Sequence, residues 1–170
     1  MVTPVFEHAS ATVDDKTYIL GGNRDSGTTD LNPVYDTSTD TWNNMARMPN
    51  NVEYAAAGAT IGTNATQMIY VFGGTSPSNL TTNNNMVYDP QNDTWTMGTA
   101  MPTGRSHLAV AVLDDKLFAI GGIASYTLGT NEQYTPISYI PEFPSILALP
   151  LFMTMTLLMT AVYRKRFKNS

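Results

Sequence analysis

A paired glycine after a short apolar run occurs three times in this chain: Tyr18-Ile19-Leu20-Gly21-Gly22, Tyr70-Val71-Phe72-Gly73-Gly74 and Phe118-Ala119-Ile120-Gly121-Gly122. The pairs are spaced 52 and 48 residues apart. A period of that size means one supersecondary unit stacked on copies of itself, which restricts the fold more than composition does. Other features recur in the same order. Tyr35-Asp36 precedes Thr41-Trp42 and Met48-Pro49, and Tyr88-Asp89 precedes Thr94-Trp95 and Met101-Pro102. The third copy keeps Glu132-Gln133-Tyr134 and has no tryptophan. A small-residue run lies upstream of each pair: His8-Ala9-Ser10-Ala11, Tyr54-Ala55-Ala56-Ala57 and His107-Leu108-Ala109-Val110.

These runs are short, apolar or alternating, and bounded by Gly, Asn, Asp and Pro, which is the pattern of strands. No 3.6-residue apolar period extends over any length before Pro141. The combination of Gly-Gly, Tyr-Asp and Trp resembles the kelch repeat over residues 1 to about 136. The resemblance implies an all-β chain of kelch-type β-propeller blades, four strands (a to d) per blade. The blades are expected over 4–52, 53–104 and an incomplete 105–136. Strands are expected at 8–13, 17–20, 33–36 and 41–44, and again at 54–61, 68–72, 85–89 and 94–97. The repeat positions Gly21, Gly22, Tyr35, Asp36, Trp42, Gly73, Gly74, Tyr88, Asp89, Trp95, Gly121, Gly122 and Tyr134 read as structural. Trp42 and Trp95 each offer a large apolar face to pack between blades.

Successive antiparallel strands reverse direction, so the b–c loops share one face with the links between blades. The loops 23–34, 75–86 and 123–131 are polar and differ among the copies. Variable loops on a fixed scaffold are the expected place for a protein or glycan ligand.

Signals for chemistry are sparse. The chain has no cysteine, which excludes disulfides, thiolate metal sites and a cysteine nucleophile. No phosphate loop, zinc motif or nucleophile elbow is present. His8 and His107 read as equivalent repeat positions. Asp14-Asp15 and Asp114-Asp115, each followed by a lysine, read as hairpin turns. No catalytic residue, cofactor or metal site is assigned. Asn64, Asn79 and Asn92 each begin an Asn-x-Thr triplet, a glycosylation acceptor only in an exported body. Residues 1–163 carry all 14 acids and 5 of the 9 bases, which argues against nucleic acid as a partner.

The C-terminal region differs in kind. Ser145–Tyr163 is 19 residues without a charge, and Arg164-Lys165-Arg166-Phe167-Lys168 follows at once. As a helix it measures roughly 28 Å, close to the hydrocarbon core of a bilayer. The expectation is a single transmembrane helix over 145–163, with the basic tail 164–170 cytoplasmic and the repeats outside. The linker 137–144 holds Pro141-Glu142-Phe143-Pro144. With the apolar stretch and basic cluster behind it, this resembles the PEF-type C-terminal sorting signal of archaeal surface proteins. That resemblance implies an archaeosortase-like processing partner, and a plain membrane anchor is the competing reading.

Met1–Glu7 has neither a basic region nor an apolar core to act as an export signal. Pro4 stands before His8 much as Pro102 stands before His107. The sequence therefore reads as the C-terminal part of a longer propeller protein, with self-association as the alternative source of the missing blades. The resulting expectation is a non-catalytic binding or adhesion module at the cell surface. Two alternatives stand beside it: a fragment of a carbohydrate-processing propeller enzyme, and a tail-anchored intracellular scaffold.

Overall fold

The computed structural model describes residues 3–140, and these form strands and turns with no helix. The first blade consists of β1 (Ala9–Val13), β2 (Lys16–Leu20), β5 (Pro33–Asp36) and β6 (Thr41–Asn44), antiparallel in the order β1-β2-β5-β6. The small hairpin β3 (Asn23–Arg24) and β4 (Gly27–Thr28) stands in its b–c loop. The second blade is β7 (Ala56–Ala59), β8 (Ile69–Phe72), β9 (Asn85–Asp89) and β10 (Thr94–Met97). The third has β11 (Ala109–Leu113), β12 (Lys116–Ile120) and β13 (Asn131–Tyr134). The expected strands agree with these to within a residue or two, the second a-strand being shorter than the expected 54–61.

The registers repeat closely. Ala9 pairs with Leu20, Ala56 with Phe72 and Ala109 with Ile120. This alignment corrects one sequence reading. His8 is equivalent to Ala55 and Leu108, whereas His107 is equivalent to Tyr54 and Glu7. The last three share a left-handed backbone, with φ of 55°, 54° and 59°. His8 stands 13 residues before its glycine pair and His107 stands 14 before its own, although both a-strands begin 12 residues before theirs.

Two apolar clusters hold the blades together. One joins Tyr18, Leu20 and Val34 of blade 1 to Ile69, Val71, Met86 and Tyr88 of blade 2. The other joins Tyr70 and Phe72 of blade 2 to Leu117 and Ala119 of blade 3. The inner strands come very close: a Cβ placed on Gly58 meets Val112 Cγ2 at 2.7 Å and Val110 Cγ1 at 2.9 Å. Small residues on strand a are therefore a packing requirement. The glycine pairs serve the same end. Gly21 has φ of +65°, and a Cβ there would lie 2.5 Å from the Val52 carbonyl oxygen, so the next blade's backbone occupies that space.

Polar groups lock the blades edge to edge. Tyr88 donates its hydroxyl to Asp93 at 2.7 Å, and Asp93 accepts the Ala46 N–H at 2.8 Å. Trp95 Nε1 donates to the Ala46 carbonyl at 2.9 Å, so this indole does lie against the preceding blade. Each indole also stacks on the tyrosine of its own blade, Trp42 on Tyr35 at 5.1 Å and Trp95 on Tyr88 at 4.9 Å, and Tyr35 donates to Asp40 at 2.6 Å. Asp36 and Asp89, from the two Tyr-Asp pairs, cap the c–d turns by accepting the Ser38 and Gln91 N–H groups at 2.9 Å. No described helix is long and apolar enough to cross a membrane. The 145–163 span, the 164–170 tail and Pro141–Pro144 lie outside the described residues.

Candidate binding face

The b–c loops and the links between blades lie on one face, and three short bridges fix the loop bases there. Phe6 pairs with Asn23, Glu53 with Thr75, and Ser106 with Ile123. The loops then project beyond the sheet. Their tips carry Arg24 and Asp25 on blade 1, Asn79 and Leu80 on blade 2, and Ser125 and Tyr126 on blade 3. Leu80 is 67% exposed and Tyr126 70%, and Phe6 and Ile123 are exposed beside them.

Inside the loops runs a row that sequence reading missed. Tyr54 donates its N–H to the Glu7 carbonyl, and His107 donates its own to the Tyr54 carbonyl, both at 2.9 Å. The Tyr54 and His107 rings stack with centroids 3.9 Å apart. Ser106 Oγ lies 3.0 Å from His107 Nδ1. The Glu7 carboxylate beside the Tyr54 hydroxyl pushes that phenol above its ordinary range, with a smaller push from burial. Bulky residues seldom adopt φ near +55°, and each costs roughly 1–3 kcal/mol of strain. That cost is borne at the same point of all three blades, where the backbone bonds between blades need it. The sequence gives no sign of the row, because Glu, Tyr and His share no chemistry at the aligned position.

The remaining sequence candidates sit away from this face or within the scaffold. Asp14, Asp114 and Asp115 have φ of 52°, 51° and 57°, which places the Asp-Asp pairs in tight turns on the opposite face. Asp15 is exposed, but Asp115 is buried and accepts N–H groups from Ile61 at 2.6 Å, Asn64 at 2.6 Å and Ala65 at 3.0 Å. Tyr134 packs its ring against Tyr70 and Phe72 across the second interface. Of the three triplet asparagines, Asn79 is exposed on a loop tip. Asn92 is also exposed, but its side-chain amide is held by Asp89 at 2.7 Å. Asn64 is half-buried in the turn that Asp115 grips.

Among the described residues no three His, Cys, Asp or Glu side chains are grouped to hold a metal. A part-open, mainly apolar cavity of about 200 Å³ lies between blades 2 and 3, lined by Phe72, Met101, Ala119, Glu132 and Tyr134. A larger open cleft of about 440 Å³ lies on the loop face of blade 1, lined by Pro4, Phe6, Arg24 and Asp25.

Comparison with known proteins bears on this geometry. A family model, the KLHDC2/KLHL20/DRC7 Kelch-repeats domain, matches residues 2–135. The chain belongs to the kelch-repeat family. It is similar to the Kelch-like protein terF of Aspergillus terreus, 34% identical over 151 residues, which cover 82% of this chain and 32% of that protein. It is similar to Kelch-like protein 25 of Xenopus tropicalis at 29% identity, covering 79% of this chain and 23% of that protein. The spermatocyte protein spe-26 of Caenorhabditis elegans is 29% identical, covering 81% of this chain and 25% of that protein. This kelch chain thus spans a third or less of the length of these relatives.

Proposed function

We propose that this kelch chain is a non-catalytic, membrane-tethered module whose b–c loop face binds another protein. The reading rests on the exposure of Leu80, Tyr126, Phe6 and Ile123 on that face, around the stacked Tyr54 and His107. Aromatic and aliphatic anchors with a polar surround are what protein interfaces use, and a handful of them carry most of the binding energy. Photo-crosslinking side chains placed at Leu80 and Tyr126 in the full chain, in its own membranes, test the reading. Both should capture the same protein, and the same probe at Ile61 or Leu113, on the opposite face, should not. With the probe moved to exposed Asn79, Tyr126→Ala with Leu80→Ser should weaken capture at least about tenfold without changing stability, as expected when two anchors are lost. Equal capture from both faces overturns the proposal.

The tether follows from the uncharged stretch 145–163 and the four bases that close on it. In this reading the basic end stays cytoplasmic and the repeats face outward. Protease added to intact cells should then digest the repeats and spare the tail. Repeats protected until the membrane is opened would identify a tail-anchored cytoplasmic protein instead. Processing at Pro141–Pro144 by an archaeosortase-like enzyme adds a distinct expectation. Substitutions there would block a shift in apparent mass without altering orientation.

A further inference from the structure

The three Asn-x-Thr triplets meet very different surroundings. The first is held by its backbone. Asp115 accepts the N–H groups of Asn64 at 2.6 Å and Ala65 at 3.0 Å, and Ser138 Oγ accepts that of Thr66 at 3.1 Å. Ala65 is also buried. This triplet cannot be lifted without releasing its turn from blade 3. Asn92 is exposed, but Asp89 accepts its backbone N–H at 3.2 Å and its side-chain amide at 2.7 Å. Thr94 of that triplet pairs with Asp89 in the ladder between β9 and β10. Drawing Asn92 into another protein's cleft would therefore open a hairpin of the blade.

Asn79-Leu80-Thr81 stands at the tip of the b–c loop of blade 2, where Pro77–Thr81 are all exposed. Only a small turn shapes this tip: Asn79 donates its N–H to the Ser76 carbonyl, and Ser76 donates its own to the Leu80 carbonyl, both at 2.9 Å. Asn79 has φ of 58°, a left-handed backbone that asparagine tolerates better than most residues. The base of the loop is fixed separately, by the bridge between Glu53 and Thr75. The tip can thus be taken up by an enzyme while the blade stays intact, as is usual for exposed loop tips of small and polar residues.

We propose that Asn79 is the N-glycosylation acceptor of this chain. The inference rests on the outward orientation proposed above. In the transfer, Asn79 Nδ2 bonds to the anomeric carbon of an oligosaccharide carried on a lipid phosphate. The carbon–oxygen bond to that phosphate breaks, the lipid phosphate leaves with the electron pair, and an amide proton passes to solvent. Thr81 supplies the hydroxyl two residues on that completes the acceptor triplet. The attached sugar is bulky and hydrophilic, and an exposed loop tip accommodates it. It borders the loop face at blade 2 and leaves Phe6 on blade 1 and Tyr126 on blade 3 exposed.

Peptide masses of the full chain from its own membranes test the inference with no substitution. After proteolysis, the peptide holding Asn79 should carry the sugar mass, and those holding Asn64 and Asn92 should not. Asn79→Gln and Thr81→Val should each abolish the sugar-dependent shift in apparent mass, while Thr81→Ser should retain it. Asn64→Gln and Asn92→Gln should leave it whole. An unmodified Asn79 in chains whose repeats are digested by external protease would overturn this inference and leave the orientation standing. An unmodified Asn79 in chains whose repeats are protected would overturn both. Sugar on Asn64 or Asn92 in place of Asn79, or a sugar-dependent shift that survives Asn79→Gln, would overturn the assignment.

Discussion

Asp115 is 1% exposed although its sequence, Leu-Asp-Asp-Lys, reads as a solvent-facing turn. Burial alone would raise its carboxyl. The N–H groups of Asn64, Ile61, Ala65 and Thr63 outweigh that and hold it below the usual carboxylate range. Its folded value is thus depressed, so its contribution is present above the unfolded value of about 3.9 and is lost as pH falls through the folded one. Asp115→Asn should cost about 2–4 kcal/mol at neutral pH, since charge-assisted bonds are lost and buried N–H groups are left short of acceptors. Asp15→Asn, in the same motif of blade 1, should cost almost nothing, and denaturant midpoints of the two variants compare them directly. The two Asp-Asp turns are indistinguishable in sequence. What separates them is the longer a–b turn of blade 2, which folds back onto Asp115 and has no counterpart in the other blades. The tyrosines set the opposite limit. Burial, then Tyr134 and Asp115, push the Tyr70 phenol up to about 12. Burial likewise raises Tyr18, Tyr88 and Tyr134. Stability from these groups is full below the unfolded value near 10 and is lost as pH rises through the folded values. Tyrosinate absorbance at alkaline pH should therefore appear together with loss of the sheet signal in circular dichroism. Smooth titration of a chain that stays folded would show that these rings are open to solvent.

At the scale of elements, strands and repeats were legible because each carries a local signature: Gly-Gly after strand b, Tyr-Asp ending strand c, Trp in strand d. What each tryptophan packs against was not, because that depends on the neighbouring blade. Both indoles stack on the tyrosine of their own blade, and Trp95 in addition donates to Ala46 and packs against the first apolar cluster. Trp95→Ala should cost about 2–3 kcal/mol, below the fully buried case because the ring is half-buried, and Trp42→Ala about 1 kcal/mol or less. The interfaces also differ in chemistry. Where blades 1 and 2 meet, Val52 and Met86 are buried apolar residues. At the same positions between blades 2 and 3 stand Arg105, fully buried, and Glu132, joined in an ion pair. Arg105 also donates to the Gly121 carbonyl at 3.1 Å and to Thr130 Oγ1 at 2.8 Å. Glu132→Ala should cost about 3–5 kcal/mol, because it strands a buried cation. Arg105→Val with Glu132→Met, copying the first interface, should recover most of that loss in the same denaturant assay. A double variant as unstable as the single one would mean that the carbonyl contacts of Arg105, and not the charge pair, hold the interface.

Across the described body, the two apolar clusters meet on blade 2. Its β8 gives Ile69 and Val71 to one side and Tyr70 and Phe72 to the other, and all four are buried. Blades 1 and 3 each contact blade 2 through one cluster alone. Stability in such an array is approximately a sum of repeat terms and nearest-neighbour interface terms, so the repeat flanked on both sides holds the most. Amide exchange should therefore be slowest in β8 and β9 and faster in β12 and β13, where the outer face carries exposed Leu113 and Ile120. Protection spread evenly over the three blades would mean that the body unfolds as one unit, without the neighbour-limited cooperativity that its two separate clusters imply.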